Sequence, residues 1–126
     1  MLWIRILLIL SGLYDGLLGV VVVVAPSALF TAFHVTPPNH FGYVQFPALM
    51  LIIFGVMFLR AAANPVARRE LIAYGIALKA SYSGLVFWYQ FHGGVPNLWI
   101  PWAWADLLFL VLFFLAWRQA GAQTAS

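Results

Sequence analysis

Leu107-Leu108-Phe109-Leu110-Val111-Leu112-Phe113-Phe114-Leu115 carries no polar side chain and no alternation of polar with apolar residues. A soluble helix keeps a polar face, and a membrane β-strand alternates inward and outward residues over ~10 positions. This run does neither. Extended both ways, it belongs to an apolar stretch over 99–118, and three others precede it: 2–24, which ends in Val20-Val21-Val22-Val23-Val24, then 43–61 and 70–92. Each is close to the ~20 residues that an α-helix needs to cross about 30 Å of hydrocarbon. The 126 residues are 65% hydrophobic and only 7% charged, against about 25% charged in a soluble domain. The reading is all-α: one polytopic membrane domain over 1–126, with four transmembrane helices in an antiparallel bundle.

The first stretch superficially resembles a secretory leader, with Arg5 before an apolar run and small residues around Ala25–Ala28. It is longer than the usual 7–15-residue apolar region of a leader, and Asp15 interrupts it, so it is read as a retained span. The basic residues then orient the chain. Arg5 precedes the first span, Arg60, Arg68 and Arg69 lie at or between the second and third, and Arg118 follows the fourth, whereas 25–42 and 93–98 hold no Lys or Arg. By the positive-inside rule both termini and the middle connection are cytoplasmic. That explains the net charge of +3 without nucleic acid as a partner.

The two outward connections differ. Pro26 can open a short helix, because its missing N–H falls among the unbonded donors of a first turn. Leu29, Phe30 and Phe33 share one face, which predicts an interfacial helix over Ser27–His34 between the first two spans, ended by Pro37-Pro38. Gly93-Gly94-Val95-Pro96-Asn97 is a short turn that makes the third and fourth helices antiparallel neighbours. Trp88, Tyr89, Phe91, Trp99, Trp102 and Trp104 gather near this boundary. They form either a belt at headgroup level or a vestibule for a flat lipophilic ligand.

Asp15, Lys79 and Asp106 are the ionisable residues well inside the spans. A charge at mid-bilayer costs roughly 2.5–3.5 kcal/mol on an insertion scale, and one retained there usually faces the bundle interior and marks a site. Asp15 lies ten residues beyond Arg5, Lys79 nine beyond Glu70 and Asp106 twelve before Arg118. At 1.5 Å per residue these are depths of roughly 15, 14 and 18 Å from one side. Three helices therefore bring their charges to nearly the same level. The faces agree: Ser11, Gly12, Asp15 and Gly19 share one side of the first span, with Gly12-x-x-x-Gly16 offering a close-packing surface. Lys79 shares a polar and small stripe with Gly75, Tyr82, Ser83 and Gln90, and Asp106 an aromatic one with Trp99, Trp102 and Phe113. The second span offers only Gln45 and Pro47 and reads as a wall, with Pro47 tolerable near the first turn.

Two roles follow for the cluster. Lys79 can simply bridge Asp15 and Asp106 to fix helix order. Alternatively, two carboxylates and one ammonium leave a surplus negative charge, which favours a proton on one carboxyl or a cationic or hydrogen-bonding ligand. The candidate ligand- or proton-binding set is Asp15, Lys79, Asp106, Tyr14, Tyr82, Ser83, Gln45 and Trp102. His34, His40 and His92 all fall on the outward side, but their spacing lacks the three or four convergent ligands of a zinc site, so no metal is expected. There is no cysteine, hence no thiol redox centre. No HExxH, phosphate-binding glycine loop or GxSxG appears, and only Gln119–Ser126 follow Arg118. Catalysis by this chain alone is not expected.

The opening Trp3-Ile4-Arg5-Ile6-Leu7-Leu8 run, Ser11-Gly12-Leu13, the size and the four spans resemble small bacterial DoxX-like membrane proteins. The resemblance implies a bacterial inner-membrane location. It also implies an accessory or ligand-binding subunit of an oxidoreductase system, with a quinone-like or other lipophilic ligand, a membrane or oxidoreductase partner and surrounding lipid; a homo-oligomer is expected separately, because four short helices make a thin wall for a full pathway. It assigns no catalytic residue. The chain is also similar to small multidrug transporters, four-helix proteins with an acid in the first span, which implies a proton-coupled transporter acting as an oligomer. Their acid is Glu where this chain has Asp15, and Lys79 is a poor companion for a cation-exchanging carboxylate.

Overall fold

The computed structural model describes residues 2–125, with side chains over 2–123. Among these residues the chain is helical: α1 (Leu2–Val24), α2 (Pro26–Ala32), α3 (Gly42–Ala63), α4 (Arg69–Phe91), a short 3-10 turn (Asn97–Trp99) and α5 (Ile100–Ala125). α1, α3, α4 and the segment Asn97–Gln123 are each long and apolar enough to cross a membrane. Their outer sides carry exposed Leu13, Leu17, Ile53, Val56, Leu108 and Val111, an apolar surface that a bilayer covers and water would not tolerate.

Small residues set the α1–α3 contact. A Cβ at Gly12 would stand 2.8 Å from the Gly55 carbonyl oxygen, and one at Gly19 2.5 Å from that of Ala48. Gly12 to Gly19 and Ala48 to Gly55 are the same seven-residue step run in opposite directions, so the helices are antiparallel and their backbones touch. This revises one expectation and extends another. The second span is more than a wall, because Ala48 and Gly55 let α1 approach. The expected Gly12-x-x-x-Gly16 surface is part of the contact, since a Cβ at Gly55 would stand 2.7 Å from the Gly12 carbonyl oxygen and 3.0 Å from the Gly16 nitrogen, and Gly19 extends it by a further turn.

α4 and α5 form the second antiparallel pair. Arg69 at the start of α4 lays its guanidinium 3.9 Å over the Trp117 ring and donates from Nε to the Trp117 carbonyl at 2.7 Å. At the other end the Tyr82 hydroxyl donates to the Trp99 carbonyl at 2.9 Å. α5 runs to Ala125, seven residues past the expected limit at 118. Ala120 is fully buried and Trp3 Nε1 donates to Gln119 Oε1, so tertiary contacts continue the helix beyond the apolar run.

The core lies in the half of the bundle nearest the termini. Ile4, Leu8, Phe58, Ile72, Phe113 and Ala116 pack there, with Phe58 and Phe113 edge to face at 5.1 Å. Gly75 makes room for them: a Cβ there would stand 2.6 Å from both rings. At the opposite end Gly93 and Gly94 take φ of +125° and +88°, a region open to glycine at little cost. The Gly94 N–H returns to the Tyr89 carbonyl and closes α4.

Candidate functional site

Lys79 is the hinge of the site. It projects from α4 into the bundle with no solvent exposure, and its ammonium donates to Asp15 Oδ2 at 2.8 Å, Asp15 Oδ1 at 3.0 Å and Asp106 Oδ1 at 3.2 Å. An ammonium has three protons, and all three are used. The rings of Phe109, Phe58 and Tyr14 surround it at 5.0, 5.5 and 5.6 Å from their centroids, within the ~6 Å reach of a cation–π contact. Asp15 from α1 and Asp106 from α5 therefore meet on one cation of α4, and the charge binds three helices.

The two acids are not equivalent. Both Asp15 oxygens are engaged by Lys79, whereas Asp106 is held through Oδ1 alone. Asp106 is also the more exposed, its side chain at 10% against 2% for Asp15. Its exposure opens into a cavity of about 380 Å3 in the half of the bundle away from the termini. Tyr14, Asp15, Tyr82 and Asp106 line its inner end. Leu18, Val22, Val44, Ala48 and Leu51 form apolar walls, and Leu29, Phe30, Tyr43, Trp99 and Trp102 surround its outer part, with Pro47 on the α3 side. Pro47 is the sixth residue of α3, deeper than expected, and without an N–H it leaves the Tyr43 carbonyl without its helical donor.

The short α2 contributes to this enclosure. Phe30 is buried, with its ring 6.0 Å from Trp99 and 6.2 Å from Phe41, so its apolar side folds over the bundle. The aromatic cluster divides into two groups. Trp88, Tyr89, Phe91 and Trp104 face outward, as a belt would, while Trp99 and Trp102 line the cavity.

Of the sequence-derived candidates, Asp15, Lys79 and Asp106 are in contact and Tyr14, Tyr82 and Trp102 border the cavity. Ser83 is buried one turn beyond Lys79 and donates to the Lys79 carbonyl at 2.7 Å, so its hydroxyl serves its own helix. Gln45 does not join the cluster: its Nε2 donates to the Val23 carbonyl at 3.1 Å and ties α3 to the end of α1. Leu29, Phe30, Tyr43 and Pro47 are cavity residues outside that candidate set; Leu29 and Phe30 belong to the apolar face expected of the short helix, and Tyr43 carried no signal. Phe109 carries a usable signal, standing one turn after Asp106 on the same face. Phe58 carries none, being one phenylalanine among many apolar neighbours.

Two buried hydroxyls lack a hydrogen-bond partner among the described residues, Ser11 Oγ and Tyr14 Oη. A buried unpaired hydroxyl is costly, and Tyr14 borders the cavity. His40 Nδ1 accepts from the Gly42 N–H, and His92 stacks on Trp88 while its Nδ1–H donates to the Trp88 carbonyl. Among the described residues no three His, Asp or Glu side chains are placed to hold a metal ion together.

No protein-family model matches the chain, and no significant match was found among curated proteins or solved structures.

Proposed function

We propose that this protein is a small integral-membrane ligand-binding subunit that holds a lipophilic molecule, quinone-like in size and shape, for an oxidoreductase partner. The observation that carries the reading is the cavity. Its volume of about 380 Å3 lies in the 300–1,000 Å3 range of small-molecule sites, its walls are apolar and aromatic, and its carboxyl groups lie at its inner end. Asp15 and Asp106 lie at the inner end of the cavity, Lys79 holds both from behind, and Asp106 is the acid that meets the ligand. The location that goes with this reading is the bacterial inner membrane, with the termini and the Arg60–Arg69 connection cytoplasmic and the cavity in the outer half. A homo-oligomer in lipid is the proposed assembly. The reading assigns no catalytic residue to this chain.

The test is photolabelling in nanodiscs with a diazirine-bearing quinone analogue. Label is expected on peptides containing Tyr43, Leu51, Trp99 and Trp102, and Val44→Trp, which fills the cavity, should abolish it. Labelling that survives Val44→Trp, or falls only on Trp88, Tyr89 and Trp104, refutes the reading.

One observation favours a second reading. The open oxygen of Asp106 is a membrane carboxylate at the end of an aromatic cavity, as a proton-coupled multidrug-type transporter requires. Proteoliposomes would then move protons when an organic cation is added on one side, and Asp106→Asn would abolish that flux.

A further inference from the structure

One stripe of α3 changes its surroundings along its length. Tyr43, Pro47, Leu51, Phe54 and Phe58 follow one another at helical spacing and share one side of the helix. Towards the termini this side meets α4: Phe58 is fully buried, and a Cβ at Gly75 of α4 would stand 2.6 Å from its ring. At the opposite end the same side is uncovered. Leu51 is half-buried, Pro47 is exposed, and Tyr43 is 70% exposed. Yet Tyr43, Pro47 and Leu51 all line the cavity, so the cavity wall and the outer surface of the bundle meet along this stripe.

The contacts of the two helix pairs explain the gap. Around the cavity α3 is held to α1, through Ala48 against Gly19 and through Gln45 to the Val23 carbonyl. α4 is held to α5, through Tyr82 to the Trp99 carbonyl and through Phe87, edge-on to Trp104 at 4.9 Å. Among the described residues Tyr82 alone brings α4 to the cavity lining. The seam on the other side, between α1 and α5, is closed. There the Tyr14 ring packs against Trp102 and Phe109, and Phe30 and Phe33, in and just after α2, lie against Trp99 and Trp102. The open side of the cavity is the one between α3 and α4. Leu51 lies eight residues beyond Tyr43, roughly 12 Å along the helix, so the opening reaches from headgroup level into the hydrocarbon.

We infer that the cavity opens sideways into the bilayer between α3 and α4, and that its ligand is a single-tailed amphiphile bound head inward, its hydrocarbon tail passing out through this opening. This rests on the cavity being a ligand site and deepens that reading, because it names the route of entry and the part of the ligand that stays in lipid. An opening faced by lipid admits molecules already dissolved in the membrane. The carboxyl at the inner end sets the direction. Lys79 engages Asp106 through Oδ1 alone, so the other oxygen is left for a polar head. A phospholipid keeps its headgroup at the surface and enters tail first, which brings Asp106 no polar partner. Tyr43, Pro47 and Leu51 then flank the departing tail.

The experiment uses the full chain in nanodiscs of zwitterionic lipid and three probes, 2-butyl-, 2-octyl- and 2-dodecyl-1,4-benzoquinone. Binding is titrated calorimetrically and expressed per membrane-dissolved probe by correction against protein-free nanodiscs, with Val44→Trp as the blocked control. A tail that lies in hydrocarbon before and after binding costs nothing to lengthen. The dodecyl probe is therefore expected to bind no more than about threefold weaker than the butyl probe. A larger loss means that the whole ligand must fit inside a closed cavity; it overturns the inference and leaves the cavity a ligand site. A diazirine at the end of the dodecyl tail then locates the opening. Label is expected on residues 43–51 of α3 and 82–91 of α4, and label confined to α2 or to residues 99–109 overturns the placement between α3 and α4. Absence of binding by all three probes, or binding that Val44→Trp leaves unchanged, overturns the cavity reading itself.

Discussion

Lys79→Met is the most informative single change, because it removes the only cation in contact with two buried acids. The wild-type ammonium makes three hydrogen bonds, at 2.8, 3.0 and 3.2 Å, and each hydrogen bond to a charged group is worth roughly 1.5–3 kcal/mol. These values do not add, because the ammonium must first be stripped of water. The measured outcome of breaking a buried pair, about 3–5 kcal/mol, is the expected loss. Asp15→Asn removes the charge that takes two of the three bonds and should cost about 2–3 kcal/mol. Asp106→Asn touches one bond and should cost about 1–2 kcal/mol. In both acid variants Lys79 keeps a partner. The triple variant Lys79→Met, Asp15→Asn, Asp106→Asn has no buried charge left, and it should be more stable than Lys79→Met alone, because apolar replacement of a whole buried ion cluster is often neutral or better. The assay is equilibrium unfolding in mixed micelles, followed by circular dichroism. If the triple variant's loss equals the sum of the three single losses within about 0.5 kcal/mol, the side chains do not act as a unit and the reasoning fails.

Three further outcomes are expected. Gly19→Leu places a side chain against the Ala48 backbone and should cost about 1–3 kcal/mol by overpacking, whereas Gly16→Ala, with open space at its Cβ, should be neutral or stabilising in the same unfolding assay. Tyr82→Phe removes the hydroxyl bonded to the Trp99 carbonyl and should cost about 0.5–1.5 kcal/mol; amide hydrogen exchange at residues 97–102 should rise with it. Reporter fusions at Asn39 and Asn97 should read periplasmic and one at Asn64 cytoplasmic; a cytoplasmic signal at Asn97 would contradict the proposed orientation.

Span number and the shared depth of Asp15, Lys79 and Asp106 are legible in the sequence for the same physical reason. A membrane helix has a fixed rise and an apolar background against which a charge stands out. The contact between Gly12 and Gly55 is harder to see, because glycine and alanine are ordinary in apolar spans and only a facing backbone gives them meaning. The division of the tryptophans into belt and cavity depends on helix rotation, and a ring such as Trp102 or Trp104 is equally at home in either place. Gln45 misled for a related reason. A lone amide in a span seeks the nearest free acceptor, and the Val23 carbonyl near the end of α1 lay closer than the buried charges. The continuation of α5 past Arg118 was hidden because its buried face is alanine, below the threshold of an apolar run.

The placing of Lys79 between two helix pairs has a consequence for how the chain enters the bilayer. Asp106 belongs to the same helical hairpin as Lys79, joined through 92–99, whereas Asp15 belongs to the other pair. The α4–α5 hairpin thus carries its own counter-ion and can leave the aqueous channel of the insertion machinery with its mid-membrane charges paired. The α1–α3 pair has no such partner for Asp15, so its polar cost is lifted only when the hairpins dock and the Asp15 oxygens reach Lys79. Docking is therefore coupled to charge neutralisation, and a chain halted after residue 63 would present an acidic helix that has not yet met its base.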